Sequence, residues 1–219
     1  DQNLLFSDLA KKLPKKITVY AIGGTAMMFL GLKQTTLDID LVFNNNEERQ
    51  MFKEAVKSLG YYNLEASIVY GKKENTPDVV KAGEVRIGLF LFKIITSYFS
   101  ESMQKRAVRI HEFGDNLIIK IADVHDILIM KAATTREQDE EDIISIIKNN
   151  TIDWSLILKE VQDQILLGNE RVSLDLGHVL ERIQNQGEVN IPNLVLDKLF
   201  ALLKKQVNSK IKKNARKKT

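Results

Sequence analysis

The pattern of apolar and polar residues changes near residue 122 of this 219-residue chain. Before that point, short apolar runs typical of strands are interspersed with amphipathic helical segments. After it, apolar residues recur every three or four positions, which predicts helices alone. We therefore expect an α+β part over residues 1–122, a helical part over residues 123–203, and a flexible basic tail over residues 204–219.

Helices and strands are predicted to mix in the first part. An amphipathic helix over residues 3–13 stops at Pro14, a short helix spans Thr25–Leu32, and a third ends at Gly60, with Asn46 as its predicted N-cap. Strands are predicted over Ile17–Ile22, Asp38–Phe43, Leu64–Tyr70, Val85–Lys93, Ala107–His111 and Leu117–Ile121.

Two aspartates interrupt one of the apolar strands. Side chains alternate across a strand, so Asp38 and Asp40 are expected on the same face, shortly after the glycine turn at Gly23 and Gly24. Two like charges on one face cost free energy unless a cation or a base neutralises them. Mg²⁺ binds carboxylate oxygens together with substrate phosphates. The pattern therefore favours a metal and phosphate site, and a purely structural role for the pair is the alternative.

A lysine continues the apolar face of the helix predicted to start at Asp123. Lys131 lies three, four and seven positions after Leu128, Ile127 and Val124. Lysine seldom faces a core without a partner, and a nucleotide phosphate would be such a partner. The alternative is a side chain that extends to solvent.

Two acids begin the apolar stripe of the next helix. Asp139 and Asp142 share its face, and the alternative to a functional role is capping, with Asp139 as N-cap. Arg136, between the two helices, would either hold a phosphate or pair with Asp139 or Glu140.

Charge is unevenly distributed along the chain. Residues 204–219 hold eight basic residues and no acid, so the other 24 basic and 29 acidic residues give that remainder a net charge of −5. Such a segment can bind the backbone of RNA or DNA, and a solubilising end is the alternative.

Composition excludes several classes of site. The chain has no cysteine, which rules out disulfides and thiolate metal sites and fits a cytoplasmic protein. The longest uncharged run, Ile17–Leu32, has 16 residues including three glycines, too few for a membrane span. No P-loop, Rossmann, zinc-protease or Gly-x-Ser-x-Gly motif is present.

Two motifs carry a family resemblance. Gly-Gly-Thr-Ala at residues 23–26, a helix, and Asp-Ile-Asp-Leu at 38–41 resemble the signature of the nucleotidyltransferase (polymerase β-like) superfamily. The segment 123–143 is similar to the C-terminal signature of the AbiEii-like nucleotidyltransferases, which are toxins of toxin–antitoxin systems. The resemblance covers roughly residues 15–150.

The resemblance implies a fold and an activity. The fold would be a mixed β-sheet with flanking helices, followed by a helical domain that completes the nucleotide site. The protein would move a nucleoside monophosphate from an NTP to a hydroxyl of RNA, including tRNA, or of a protein, using Mg²⁺ or Mn²⁺. Its partners would be the NTP, the RNA acceptor and a cognate antitoxin, with no membrane involved.

The resemblance also implies residue roles. Asp38 and Asp40 would bind the metal, and Lys131 and Asp142 would join them as catalytic residues. The nucleotide-binding residues would be Gly23, Gly24, Thr25, Lys131, Arg136 and Asp139.

One position departs from the family pattern. Related enzymes place a third carboxylate on a neighbouring strand, often within Arg-Ile-Asp-Leu-Phe, where this chain has Gly88. Glu84 is expected on the same strand face, but four residues along a strand is ~13 Å. Two further hypotheses therefore stay open. One is a catalytically degenerate protein that binds nucleotide, nucleic acid or a protein partner, and the other is an enzyme that modifies a small molecule.

Overall fold

The protein forms two compact units, Asp1–Ile127 and Leu128–Thr219. The structure is a computed structural model that describes residues 2–134 and 136–216, with side chains described as far as residue 209. The domain boundaries predicted from sequence stay a prediction.

The first unit contains strands and helices in mixed order. Its elements are α1 (Gln2–Lys12), β1 (Ile17–Ala21), α2 (Gly23–Phe29), β2 (Asp38–Phe43), α3 (Asn46–Ser58), β3 (Tyr62–Leu64), α4 (Ala66–Tyr70), β4 (Asp78–Ala82), β5 (Val85–Phe90), β6 (Lys93–Ile94), β7 (Ser97–Tyr98), α5 (Glu101–Arg106), β8 (Arg109–Phe113) and β9 (Leu117–Ile121).

Seven of these strands form one mixed sheet in the order β3-β4-β5-β2-β1-β9-β8, and β6 pairs with β7 separately. Strand β2 lies antiparallel to β1 and parallel to β5. Its register on β5 places Asp38 opposite Arg86 and Asp40 opposite Gly88. The sheet, its helices and the helical segment that follows confirm the α+β prediction.

The central strands supply the core of the first unit. Ile39 and Leu41 of β2 and Ile87 and Leu89 of β5 are fully buried. Because these residues alternate with Asp38, Asp40, Arg86 and Gly88, the polar face of each strand lies opposite its buried face. The apolar anchoring of both strands therefore fixes where the two aspartates point.

Several predictions in the first unit were wrong. Residues Leu64–Tyr70 do not form one strand, because β3 ends at Leu64 and α4 begins at Ala66. Strand β4 was not predicted, and the strand predicted over Val85–Lys93 ends at Phe90, with Lys93 in β6. The strand predicted over Ala107–His111 is β8, at Arg109–Phe113. Helix α3 is capped by Asn45, whose side chain accepts the Glu48 N–H, one residue before the predicted cap.

Among the described residues after β9, the regular elements are all helices, as predicted from the spacing of apolar residues. Helix α6 (Val124–Ala132) crosses the division between the two units. It is followed by α7 (Glu137–Asn149), α8 (Trp154–Leu167), α9 (Val172–Asn185) and α10 (Asn193–Arg216). Asp153 caps α8 by accepting the Ser155 and Leu156 N–H groups, and the left-handed Gly168 ends that helix.

Most of the segment predicted as a basic tail belongs to α10, which continues through Arg216. The last three residues, 217–219, lie outside the described residues. Within the described part of the chain, no helix is both long and apolar enough to cross a membrane.

Candidate functional site

The first candidate site lies on the polar face of β2. Asp38 and Asp40 are two residues apart on this strand and are both partly exposed, whereas Ile39 between them is fully buried. The predicted arrangement of two carboxylates on one strand face is therefore present.

Arg86 of β5 holds the first of these carboxylates. Its Nε donates to Asp38 Oδ1 at 2.7 Å and its Nη2 donates to Oδ2 at 3.0 Å, a two-point pairing of guanidinium and carboxylate. The parallel register of β2 and β5 places the two residues side by side. The side chains are 38% and 41% exposed, so the pair is open to solvent and to a ligand.

The carboxylate of Asp40 lies between two glycines. A Cβ atom added at Gly23 would lie 3.3 Å from Asp40 Oδ2, and one at Gly88 would lie 2.7 Å from Oδ1. Gly23 also has a φ of +55°, which disfavours any other residue. The space around Asp40 thus depends on a residue without a side chain on each side.

Two threonines hold the backbone of β2 beside the aspartates. The buried Thr25 hydroxyl donates to the Asp38 carbonyl at 3.3 Å and accepts the Asp40 N–H at 3.1 Å. The Thr36 hydroxyl also donates to the Asp38 carbonyl, at 3.0 Å. Thr25 therefore acts on the aspartates through the backbone that carries them.

The N-terminus of α2 borders the same face. Within the described residues, the side chain of Ile22 at the N-cap makes no capping hydrogen bond. The first N–H groups of a helix have no partner inside it, so those of Gly23 and Gly24 are donors suited to an anionic group. A Cβ at Gly24 would come within 3.1 Å of the Thr36 hydroxyl, so close packing explains this second glycine.

The two carboxylates on β2 suit one divalent cation. No group of three or more Asp, Glu, His or Cys side chains able to hold a metal occurs among the described residues. Mg²⁺ is commonly held by one or two carboxylates plus substrate phosphates, and a carboxylate paired with arginine keeps further lone pairs. Asp38 and Asp40 therefore suit a cation whose remaining ligands come from a phosphate substrate and water.

The position expected for a third carboxylate lies next to Asp40. Gly88 pairs with Asp40 across the two strands, and the Tyr70 hydroxyl lies 3.2 Å from the point that a Cβ of residue 88 would occupy. Glu84, which was expected on the same strand face as Gly88, lies exposed in the turn before β5 and not on the strand.

A separate polar cluster lies in the helical unit. The buried Lys131 ammonium is 2.8 Å from Asp139 Oδ1 and 2.6 Å from Asp142 Oδ2, and both carboxylates are also buried. Asp139 additionally accepts hydrogen bonds from the Thr134 hydroxyl and, at 2.7 Å, from Arg136 Nε. Asp139 belongs to the first turn of α7, whose N-cap is Arg136, so Asp139 is not the cap.

Opposing influences act on the Asp139 carboxyl. Burial raises its pKa, but the Lys131 ammonium and the hydrogen bonds from Lys131, Thr134 and Arg136 lower it, and the net pKa is below the usual value. The carboxylate is thus ionised at neutral pH and joins the end of α6 to the start of α7. Arg136, with a side chain 72% exposed, can be reached by solvent or by a ligand.

A family model described as "Nucleotidyltransferase of unknown function (DUF6036)" matches residues 5–173. The chain belongs to this nucleotidyltransferase family. This membership confirms that the chain is a nucleotidyltransferase by family, and the AbiEii-like assignment stays a prediction. The chain matches no curated protein sequence.

Three solved structures are similar to this nucleotidyltransferase. ANT(2'')-Ia in complex with adenylyl-2''-tobramycin is 16% identical with a TM-score of 0.45, covering 83% of this chain and 98% of that one. A solution structure of the antibiotic-resistance factor ANT(2'')-Ia is 15% identical with a TM-score of 0.43, covering 85% and 92%. A tRNA-processing enzyme is 14% identical with a TM-score of 0.33, covering 91% and 65%.

Sequence reasoning missed two residues beside the aspartates of this nucleotidyltransferase. Arg86 is two residues from Gly88 on β5 and so shares its face, which was predictable, but its pairing with Asp38 depends on the register of distant strands. No sequence pattern indicated that Tyr70 would reach this site, because its segment was predicted to be a strand and is a short helix.

Proposed function

We propose that this protein transfers a nucleoside monophosphate from an NTP to an acceptor hydroxyl, with Mg²⁺ or Mn²⁺ held by Asp38 and Asp40. The observation that carries the proposal is the pair of carboxylates on one face of β2, beside the uncapped start of α2, in a chain of this family. A bound cation would supply charge that neutralises the phosphates as the bond changes occur.

Residues of the first unit bind and orient the nucleotide in this proposal. The N–H groups of Gly23 and Gly24 donate to oxygens of the triphosphate, as expected at a helix N-terminus. The Thr25 hydroxyl, buried against β2, keeps Asp38 and Asp40 in position and does not itself need to reach the phosphates.

The proposed reaction is an in-line substitution at phosphorus. The acceptor oxygen forms a bond to the α-phosphorus, and the bond from that phosphorus to the oxygen bridging to the β-phosphate breaks. Pyrophosphate leaves with the electron pair of that bond, and the hydroxyl proton passes to solvent. The enzyme's contribution is positioning and charge stabilisation.

Residues of the helical unit have two roles in the proposal. Arg136 is exposed and would donate to a nucleotide phosphate. Lys131, Asp139 and Asp142 are buried and would hold the start of α7, and Arg136 with it, in place. The catalytic importance of Lys131 and Asp142 would then arise from positioning.

The proposed acceptor is RNA, including tRNA, and the proposed biological role is that of a toxin paired with an antitoxin. The concentration of basic residues in 204–219, without any acid, supports an RNA acceptor because it suits a phosphate backbone.

The test is incubation with the four α-labelled NTPs, Mg²⁺, and either total RNA or cell lysate. We expect label on RNA with the wild type and none with the double variant Asp38→Ala/Asp40→Ala. Asp8→Ala, an exposed acid on α1 outside the site, is the matched control. No transfer by the wild type, or equal transfer by the double variant, would remove the proposal.

A second candidate function is nucleotide binding without transfer. Gly88 at the expected third-acid position and the Arg86 pairing on Asp38 favour it. Retained NTP binding by a wild type that transfers no label to RNA, protein or small molecules would select this function.

A further inference from the structure

The space that a side chain at residue 88 would fill is already occupied. An added Cβ would meet three groups at once: Asp40 Oδ1 at 2.7 Å, the Tyr70 hydroxyl at 3.2 Å and a ring carbon of Phe90 at 3.2 Å. Contacts this short require the neighbouring groups to move. Side chains from three other positions therefore occupy the space that a side chain at residue 88 would fill.

Two contacts restrain Tyr70. Its ring packs edge-on against Phe90, with ring centres 6.2 Å apart and planes at 83°. Helix α4 ends directly after it, at Gly71, whose N–H donates to the Ser67 carbonyl at 2.9 Å. These contacts restrain the ring and the backbone, and the hydroxyl lies beside Gly88, on the side where Asp40 also approaches.

We propose that Tyr70 takes the place of the third carboxylate as a positioning residue for Asp40, so that the site binds one divalent cation. A phenol carries no negative charge near neutral pH, so unlike an aspartate it offers no anionic oxygen for a second cation. It offers instead an O–H group that orients a neighbouring carboxylate. Carboxylates that bind metals are themselves commonly held by such hydrogen bonds.

This inference rests on the proposed role of Asp38 and Asp40, and a probe without substrate tests it separately. Mn²⁺ alone is titrated into the protein, and unbound Mn²⁺ is measured by electron paramagnetic resonance. We expect about one Mn²⁺ per chain. In Tyr70→Phe we expect the affinity to fall about tenfold, the lower end of the effect of removing a hydrogen-bond partner from a metal ligand.

The matched control is Tyr62→Phe, which makes the same chemical change at a tyrosine 56% exposed on β3. It should bind Mn²⁺ like the wild type. The thermal unfolding midpoint of each metal-free variant separates a loss of positioning from a loss of folding. The effect of Tyr70→Phe should also disappear in an Asp40→Asn background, because coupled residues are not additive.

Each outcome decides the inference. Two binding results would overturn it: no Mn²⁺ binding, or two Mn²⁺ per chain. So would a Tyr70→Phe variant with the same Mn²⁺ affinity as the wild type, or an effect of Tyr70→Phe that is equally large in the Asp40→Asn background. The transfer assay decides the proposed function independently: Mn²⁺ binding that depends on Tyr70, with no nucleotide transfer, would uphold the inference and remove the proposed activity.

Discussion

Arg86 and Asp38 form a two-point ion pair across parallel strands, with nitrogen–oxygen distances of 2.7 and 3.0 Å. The same carboxylate is one of the two proposed metal ligands, so the guanidinium and a cation would share its charge. An arginine beside a metal ligand both orients the carboxylate and reduces its attraction for a cation.

Replacing Arg86 tests which of these effects is larger. We expect Arg86→Met to raise Mn²⁺ affinity, but by less than about tenfold, because a partly exposed ion pair is worth about 0–1 kcal/mol. Titration with Mn²⁺ measures the change, and Arg109→Met, at an exposed arginine on β8, is the control. Weaker Mn²⁺ binding in Arg86→Met would show instead that the arginine mainly orients Asp38.

The ion cluster around Lys131 should dominate the stability of the helical unit. Lys131→Met leaves Asp139 and Asp142 buried without their ammonium partner, and breaking a buried pair in this way costs about 3–5 kcal/mol. Trp154, the single tryptophan, begins α8 in this unit, so its fluorescence in a urea titration reports the unfolding of that unit.

Lys148→Met provides the comparison for Lys131→Met. Lys148 pairs with Glu188 at the surface, where its side chain is 51% exposed, and an exposed pair contributes about 0–1 kcal/mol. Equal losses of stability in the two variants would contradict the structural importance assigned to the buried cluster.

Asp139 should also make the helical unit sensitive to acid. Its pKa is lowered in the folded state by Lys131 and its hydrogen-bond donors, which together outweigh the effect of burial. A lowered folded-state pKa means that the ionised carboxylate stabilises the fold above about pH 4, the usual aspartate value. That contribution is lost as the pH falls below about 4 and through the folded-state pKa.

The measurement is the urea midpoint of Trp154 fluorescence between about pH 6 and pH 3, bracketing the usual aspartate value. We expect a steeper decrease for the wild type than for Asp139→Asn, which has no carboxyl to protonate at this position. Asp197→Asn, at an exposed position of α10, should retain the slope of the wild type. If the urea midpoint of Asp139→Asn falls with pH as steeply as that of the wild type, the Asp139 carboxyl is not the cause of the acid sensitivity.

Much of the fold followed from local patterns. Strands β2 and β9 have the predicted bounds, because each is an apolar run whose limits are set by its neighbours in sequence. The helices of the second half followed from apolar spacing. The prediction of a strand over residues 64–70 was wrong. Apolar residues alternate there as in a strand, at Leu64, Ala66, Ile68 and Tyr70, yet Ile68 is 70% exposed in a short helix. Alternation over so few residues does not distinguish the two structures.

The candidate site was predictable where its geometry is local. Asp38 and Asp40 are two residues apart, so their common face follows from strand geometry alone. The partners of these aspartates are not local. Arg86 reaches Asp38 only because β2 and β5 pair in one register, and Tyr70 reaches Gly88 from a separate helix. Such pairings depend on the packing of the whole unit, which local sequence patterns do not encode.

The structure also changes how Gly88 should be tested. Gly88→Asp, the obvious way to restore a third carboxylate, places a Cβ 2.7 Å from Asp40 Oδ1 and 3.2 Å from the Tyr70 hydroxyl. We expect the single variant to bind Mn²⁺ more weakly than the wild type, because Asp40 must move. Gly88→Ala adds the same Cβ without a carboxylate and should show the same loss.

Removing Tyr70 at the same time should reverse this outcome. In Gly88→Asp/Tyr70→Ala the space left by the phenol lets the Asp40 carboxylate move away from the new Cβ. Asp38, Asp40 and residue 88 would then provide three acids on adjoining strands. We expect about two Mn²⁺ per chain, since a third carboxylate supplies ligands for a second cation. Gly88→Ala/Tyr70→Ala, with the same space but no added acid, should bind no more than one. Equal stoichiometry in the two double variants would show that the Gly88 position cannot complete a two-metal site in this chain.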